Sequence, residues 1–513
     1  MKNYEIEAAW EYHNGTNHPN GRMLKRFHYY DPAQRPVPYK IYKQIDSVAL
    51  PHDRPHTIPA LKAISHTIPC LDNQTPNLDT ISKILYFSAG ITKTIRYPGI
   101  GSVEFRAAAC TGALFHIEIY LVCKDIQNLQ AGVYHFDPKG MRLDVLRKGD
   151  YRGIIVKACG NDIDVQHAPV ILVYTDIFTR NSVKYQAREY RHAFWDCGTI
   201  LANTMAISTA HNLPAKLIMG FVDQAVNSLL DLNSEKEVSI AIVPVGFTRD
   251  ATAGQAPKVQ VLNLRTDPLS NYDFDDPQIL KIHRSSSLLS PKEVREWKDK
   301  TPKIKMQQAT ENIFPLVPYD KNEIPLDTIE EVIIRRGSVR QFSRQSISLR
   351  QLSAIIYYSS RGISADFLEP FGSSLIHMYL IVNSVDGLKS GSYVYNKEQE
   401  SLQLLREGMF RHVAGNLGLD QDLSADGSVA VFFMTDLGAV LKRFGNRGYR
   451  AAQLEGSIIG GKFYLATYAQ RLGATGLTFY DDSVTQFFSP HAKDMTIMFM
   501  AVLGKKVKKQ PRR

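Results

Sequence analysis

Apolar residues recur three and four positions apart from Leu78 to Ala89, which predicts an amphipathic helix closed by Gly90. A β-branched apolar run from Ile117 to Val122 predicts a strand, and Val133 to Phe136 predicts a second one after a turn at Gly132. Ala168 to Tyr174 and Ile240 to Gly246 read as further buried strands, and Arg191 to Ala210 as the longest helix of this half. A second series starts at Leu326-Asp-Thr-Ile-Glu-Glu-Val-Ile-Ile and closes on a strand from Met498 to Leu503. Strands and helices mixed in this order, with short hairpins among long helices, predict an α+β layered fold rather than a doubly wound sheet.

The two series are one segment written twice, 259 positions apart. Tyr120-Leu121-Val122 returns as Tyr379-Leu380-Ile381, and Gly132-Val-Tyr134 as Gly391-Ser-Tyr393. Arg188-Glu-Tyr190-Arg191 returns as Arg447-Gly-Tyr449-Arg450, Asp196 as Glu455, Leu213-Pro-Ala215 as Leu472-Gly-Ala474, and Asp223 as Asp482. A fixed register over about a hundred residues means two copies of one domain. The period is too long for a solenoid, so the expected object is an intramolecular pseudo-dimer about a pseudo-two-fold axis. The divisions read as an N-terminal arm at 1–75, a first domain at 76–250, a linker at 251–325, a second domain at 326–506 and a basic tail at 507–513.

A length of 513 residues also calls for two or more domains. Hydrophobic content of 44% with 22% charged residues is ordinary for a globular protein. No apolar run is long enough to span a membrane and the first residues lack an apolar signal core, which predicts a cytoplasmic protein. The five cysteines lie in the first copy without Cys-x-x-Cys spacing, so neither a disulfide framework nor a metal site is expected. The net charge of +10 comes with no nucleic-acid module and suits a basic cavity for a phosphate or an acidic substrate.

The sharpest local element is Arg335-Arg336-Gly337-Ser338-Val339-Arg340, where two guanidinium forks and a hydroxyl can converge on a phosphate. As an isolated match it reads first as a solvated basic turn at a helix end. The first copy carries a small-residue turn, Arg106-Ala107-Ala108-Ala109-Cys110-Thr111-Gly112, ahead of its strand. Small residues there let backbone approach a flat ligand, and Thr111 can donate a hydrogen bond. With Ala-Gly-Val-Tyr-His-Phe-Asp-Pro, Lys-Tyr-x-x-Arg-x-Tyr-Arg and Gly-Phe-x-Asp-x-Ala-Val-Asn in the same order, the chain resembles the nitroreductase family of FMN oxidoreductases. Within that family it looks more like the SagB-type branch, whose dehydrogenases oxidise azolines in peptide natural products.

That resemblance implies a nitroreductase-like fold with FMN at the interface of the two copies. The second copy would supply Arg336, Gly337, Ser338, Arg340, Thr475 and Gly476, and the first Ala108, Thr111 and Gly112. At the reciprocal interface the first copy has Ala63-Ile-Ser65-His66-Thr67 in place of the arginines, so one flavin per chain is expected. The branch also links a Lys-Tyr pair, here Lys184-Tyr185, to proton removal while hydride leaves to flavin N5. The second copy has Arg443-Phe444 at that offset, and Phe444 cannot ionise. Arg191 and Arg450, with Asp196 and Glu455 five residues on, read as pairs at the interface. His13 and His18, in Tyr12-His-Asn-Gly-Thr-Asn-His, resemble an N-terminal motif of the branch that carries no assigned role. A Cys110–His116 nucleophile lacks anything to activate the thiol.

The function these residues imply is an FMN-dependent dehydrogenase acting on a ring in a peptide or small natural product, with partner proteins from a biosynthetic cluster and no nucleic-acid or membrane partner. Two other readings stay open at the level of sequence. One is an NAD(P)H-dependent nitro, quinone or enone reductase; the other is a flavin-binding or scaffold protein without catalysis.

Overall fold

The computed structural model describes residues 2–18, 34–53, 55–97, 99, 101–249, 255–268, 276–300, 311–320 and 322–507. Parts of the expected arm and linker, and the tail from 508 onward, lie outside the described residues.

The first half builds an antiparallel sheet from β1 (Ser47–Ala49), β2 (Ile117–Cys123), β3 (Gly132–Asp137), β4 (Arg142–Lys148), β5 (Val170–Ile177) and β6 (Glu237–Val245). Their order is β1-β4-β3-β2-β5-β6. The second half uses β7 (Ile313–Pro315), β8 (His377–Val382), β9 (Gly391–Asn396), β10 (Ser401–Glu407), β11 (Val429–Thr435), β12 (Gly473–Gly476) and β13 (Thr496–Gly504). Their order is β12-β13-β11-β8-β9-β10-β7, so the five central strands repeat in the same arrangement. The register repeats as well: Tyr120 faces His135 in one sheet and Tyr379 faces Val394 in the other. β2, β5 and β6 are buried at every position, which explains why their sequences are continuous apolar runs without alternation.

The helices that matter for function are α1 (Glu7–Gly15), α2 (Ala60–Ser65), α3 (Leu78–Ala89), α4 (Phe178–Tyr185), α5 (Glu189–Ala210), α6 (Pro277–Ser285), α7 (Pro291–Lys298), α8 (Ile329–Arg335), α9 (Leu349–Ser359), α10 (Leu437–Phe444) and α11 (Asn446–Ala469). Helices α5 and α11 pack along each other at the centre and are buried along almost their whole length. Small residues let them approach: an added Cβ on Gly198 would overlap Ser457 Oγ, and one on Gly461 would sit 2.7 Å from Ala202 Cβ. Ser457 Oγ donates to Phe194 O at 2.8 Å across this seam. Gly198→Ala is therefore expected to cost about 1–3 kcal/mol by overpacking. A lowered thermal midpoint checks it, and an unchanged midpoint would mean that the seam has room for a methyl group.

Two sequence-level divisions are corrected. The first repeat begins upstream of residue 76. Ala60 N donates to Asp327 O and Ile329 N to Ile58 O, a reciprocal pair that makes α2 the counterpart of α8. The segment at Leu326 leads into α8 through a capping box of Thr328 and Glu331, whereas the helix at Leu78 corresponds to α9. The arm and the linker each carry helices as well. α1 of the arm and α6 of the linker are counterparts that staple the interface in the same way.

That equivalence is visible atom by atom. Arg191 donates from Nε to Thr16 Oγ1 (3.0 Å), from NH2 to His13 O (2.7 Å) and from NH1 to Asp481 Oδ1 (2.5 Å). Arg450 donates from Nε to Ser286 Oγ (2.8 Å), from NH2 to His283 O (2.6 Å) and from NH1 to Asp223 Oδ1 (2.7 Å). His13 approaches Tyr449 OH at 3.4 Å, and His283 approaches Tyr190 OH at 3.3 Å. Arg191 and Arg450 thus do pair across the interface, but with Asp481 and Asp223 rather than with Asp196 and Glu455. Asp481, not Asp482, is the partner of Asp223. The helix register hid this because the pairing runs between copies.

Candidate functional site

A cavity of about 600 Å³ opens between the halves, a size that holds a cofactor. Its first-copy wall begins with the turn Cys110-Thr111-Gly112 and the end of α4. α4 stops at Tyr185 because Gln186 takes φ +50° and turns the chain into α5, leaving Lys184 and Tyr185 on the rim. Arg188, His192, Trp195, Asp196 and Thr199 follow, spaced three and four apart so that they form one stripe on α5. The opposite wall comes from the second copy: Ser338 and Arg340 beyond the end of α8, Thr475 and Gly476 of β12, and the rings of Tyr464 and Phe499. His18 of the arm closes one side.

Eight of the residues expected from the sequence therefore meet on one cavity: Lys184, Tyr185, Thr111, Gly112, Ser338, Arg340, Thr475 and Gly476. Three do not line it. Arg336 turns away and donates from Nε to Ala107 O (2.9 Å) and from NH2 to Arg106 O (3.2 Å), tying the second copy to the small-residue turn of the first. Gly337 O accepts from Tyr468 OH at 2.7 Å. Ala108 is buried behind the turn. Thr111 has a different part from the one expected, because its amide and hydroxyl both donate to Asp196 (2.9 and 2.8 Å). Gly112 takes φ +61°, and a Cβ there would lie 2.9 Å from Tyr185 OH, so the turn needs a glycine for two reasons.

Sequence reasoning missed His192, Trp195, Tyr464 and Phe499, and it gave His18 no role. The stripe on α5 carried a signal, since residues 188, 192, 195, 196 and 199 share a face that includes ionisable groups. Nothing local pointed to Phe499, which arrives from the last strand.

The charge of the cavity is set by burial. Desolvation, with Arg188 next, lowers His18 to about 3, and His192 is pushed well below its ordinary value by burial and Arg188. Both histidines are neutral at pH 7, while Arg188, lowered by burial to about 10, keeps its charge. Lys184 is lowered by burial and then by Arg35, and its Nζ lies 5.1 Å from the centroid of the Tyr185 ring. Cys110 is raised by burial and by Asp196, whose Oδ2 is 3.0 Å from the thiol, so it is not a thiolate nucleophile. The result is a cavity with cations and neutral donors, suited to an anionic group.

The residues fit a flat heteroaromatic cofactor bearing a phosphate. Arg188 Nε and NH2 and Thr478 Oγ1 are buried and find no partner among the described residues, although both residues line the cavity. They are donors waiting at a polar edge, while Trp195, Tyr464 and Phe499 offer apolar surface. Ser338 and the exposed Arg340 stand together where a phosphate can be held.

The mirror-related interface is built differently. Leu217 to Gly220, which correspond to Gly476 to Phe479, are covered by the chain itself. Leu217 N donates to Ser364 O at 2.9 Å, and Asp366 accepts from Met219 N (2.9 Å) and Gly220 N (2.8 Å). Lys298 of α7 lies 3.5 Å from Asp366. At the counterpart of Tyr185, Phe444 is fully buried against Trp297, whose Nε1 donates to Phe444 O at 2.9 Å. A smaller cavity of about 430 Å³ remains beside Ser65, His66 and Thr67.

The similarities to known proteins agree with this geometry. Residues 118–247 match the model of the nitroreductase family. The chain is 26% identical over 200 residues to a Methanocaldococcus jannaschii protein named as a nitroreductase, covering 37% of this chain and 98% of that one. It is 26% identical over 184 residues to the microcin B17-processing protein McbC of Escherichia coli, covering 35% of this chain and 65% of the relative. To the trifolitoxin-processing protein TfxB of Rhizobium leguminosarum bv. trifolii it is 26% identical over 261 residues, 44% of this chain and 67% of that one. A crystal structure of a nitroreductase-named protein from Anabaena variabilis superposes with a TM-score of 0.77 over 98% of this chain and 99% of its own, at 24% identity, which establishes the fold of both halves together. Residues 118–247 are thus a nitroreductase-family domain, and the two halves together have the fold of the Anabaena variabilis protein as a tandem, intramolecular pseudo-dimer. In sequence it is related to the processing proteins McbC and TfxB.

Proposed function

We propose that the protein is an FMN-dependent dehydrogenase of the SagB type, oxidising an azoline-like ring in a peptide or small natural product, with partner proteins of a biosynthetic cluster presenting that substrate. The observation that carries this reading is the meeting of Lys184 and Tyr185 with Ser338 and Arg340 across one cavity, each pair from a different copy. FMN bound there supplies a two-electron acceptor for hydride. Ser338 and Arg340 would hold its phosphate, Thr475 and Gly476 would present backbone to its ring, and Arg188 would meet its polar edge. Arg336 acts at one remove, by fixing the Ala107 carbonyl and so the turn that carries Gly112. Lys184, lowered by burial and Arg35, gives up its own proton more readily than an exposed lysine and can then accept the one lost from the carbon beside the oxidised bond. Tyr185, held over Gly112, is the second candidate for that base.

Heat-released FMN is expected to approach one per chain, because the mirror interface has no arginine turn and is covered by residues 364–366. Two per chain would show that Ser65, His66 and Thr67 bind phosphate. The reaction itself is tested by anaerobic mixing of the yellow protein with a thiazoline-containing peptide. Bleaching by the peptide and not by NADPH is the expected result; rapid bleaching by NADPH alone would make it a reductase, and a colourless protein that takes up no FMN would remove catalysis from the reading.

A further inference from the structure

Beneath the cavity the first copy buries ionisable groups that the proposed chemistry does not use. Asp196 reaches the cavity wall, where it accepts from Thr111. Its Oδ2 is also 2.8 Å from His116 Nε2. On the far side of the ring, His116 Nδ1 lies 2.6 Å from Asp176 Oδ1 and 3.4 Å from Glu189 Oε1. The side chains of His116, Asp176 and Glu189 are 0% exposed. Asp176 Oδ2 and both oxygens of Glu189 find no hydrogen-bond partner among the described residues. The titratable groups that face His116 are Cys110 from the turn, Asp176 from β5, and Glu189, His192, Asp196 and Cys197 from α5.

Both imidazole nitrogens face carboxylate acceptors, so the ring is an imidazolium. Three carboxylates around one cation would leave two uncompensated charges in a dry interior, and two carboxyl groups on the same N–H do not both ionise. Burial alone would lower His116, but Asp176, Asp196 and Glu189 hold it well above its ordinary value; burial and Asp176 push Glu189 well up. A metal ion is the competing explanation, since His116 with Asp176 and Glu189, or with Cys110 and Asp196, could ligate one. Geometry decides against both. Two ligands each about 2.1 Å from one ion stand roughly 3 Å apart at a right angle, whereas the 2.6 Å between Nδ1 and Asp176 Oδ1 and the 2.8 Å between Nε2 and Asp196 Oδ2 are hydrogen bonds, and burial with Asp196 keeps Cys110 a thiol.

The duplication supplies an internal control. At the same offset the second copy has Leu375 for His116, Thr435 for Asp176 and Gly448 for Glu189. Glu455, the counterpart of Asp196, there accepts only from Leu375 N (2.8 Å) and Ser374 Oγ (2.5 Å) among the described residues. The fold therefore does not require the cluster. It stands only in the copy that contributes Lys184 and Tyr185.

We propose that Asp176 and Glu189 share one proton beneath His116, and that this chain of groups keeps Asp196 pinned to the Thr111–Gly112 turn on which Tyr185 rests. His116, Asp176 and Asp196 are then positioning residues for the base, with Glu189 as the neutral acid. The kinetic part rests on the dehydrogenase reading above; the proton does not.

Infrared spectroscopy of the wild-type holoprotein at neutral pH is expected to show the carbonyl band of a buried carboxylic acid, and Glu189→Gln to remove it. Glutamine supplies the same neutral shape, so this variant should keep its FMN and its pH profile. Asp176→Asn removes the countercharge of His116 and is expected to lower kcat on a thiazoline peptide by about tenfold or more and to move its pH profile by about one unit, with KM little changed. A purely structural cluster would make both variants lose stability alike and shift neither profile. Absence of the band in the wild type, stoichiometric bound metal, or equal behaviour of the two variants would overturn the proposal. If Asp176→Asn does not fold, the band and its loss in Glu189→Gln still decide. Should the wild-type protein fail to oxidise a thiazoline peptide while the band is present, the dehydrogenase reading fails and the shared proton stands.

Discussion

Lys184→Ala and Tyr185→Phe are each expected to lower turnover by about 10²–10⁴-fold while FMN content and folding stay as in the wild type. The proton lost from the ring needs an acceptor on the rim of the cavity, and these two side chains end α4 there. The mirror positions supply the control. Phe444 packs on Trp297 in a closed interior, so Phe444→Ala should cost stability through lost packing but spare turnover by the protein that remains folded. Turnover and flavin content measured side by side on the three variants check this. Unchanged turnover in both Lys184→Ala and Tyr185→Phe would end the assignment of the base.

Replacing Arg336 and Arg340 together by Ala is expected to weaken FMN binding by roughly ten- to a hundredfold. A guanidinium is worth about 1.5–3 kcal/mol where it makes a charge-assisted contact to a phosphate, and only Arg340 is placed to make one. The structure separates the two contributions. Arg340 is exposed at the cavity and would act on the phosphate directly, whereas Arg336 is spent on the carbonyls of Arg106 and Ala107. Arg340→Ala alone should therefore reduce affinity without touching the interface. Arg336→Ala should also loosen the turn, seen as faster amide exchange around Ala107. Titration of the apoprotein with FMN reads the affinities, and a double variant that purifies fully yellow would place the phosphate elsewhere.

The sequence by itself determined the duplication, the α+β class and most of the cavity. A repeat with constant register can be read without coordinates, because side-chain periodicity and turn chemistry are local. For the same reason Lys184-Tyr185 against Arg443-Phe444, and the arginine turn at 336–340 against Ala63 to Thr67, already set the two interfaces apart in their chemistry. What the sequence misjudged were partners chosen across the interface. Arg191 reads as a neighbour of Asp196 on its own helix, yet Asp481 from the other copy takes it, since a buried guanidinium binds where several acceptors converge. Arg336 reads as a phosphate ligand and instead ties the halves together. The counterpart relation of α1 and α6 was hidden because their sequences share little beyond His13 and His283.

Tertiary structure alone decided how the mirror interface is closed and what lies beneath the open one. Asp366 and Trp297 arrive at the mirror interface from segments that look like loop and linker, and burial follows from where they land rather than from their neighbours in sequence. His116, Asp176, Glu189 and Asp196 are spread over 80 positions and two kinds of element. No periodicity links them, and only the packing of α5 against the sheet brings their charges to one imidazole in a medium too dry to leave them independent.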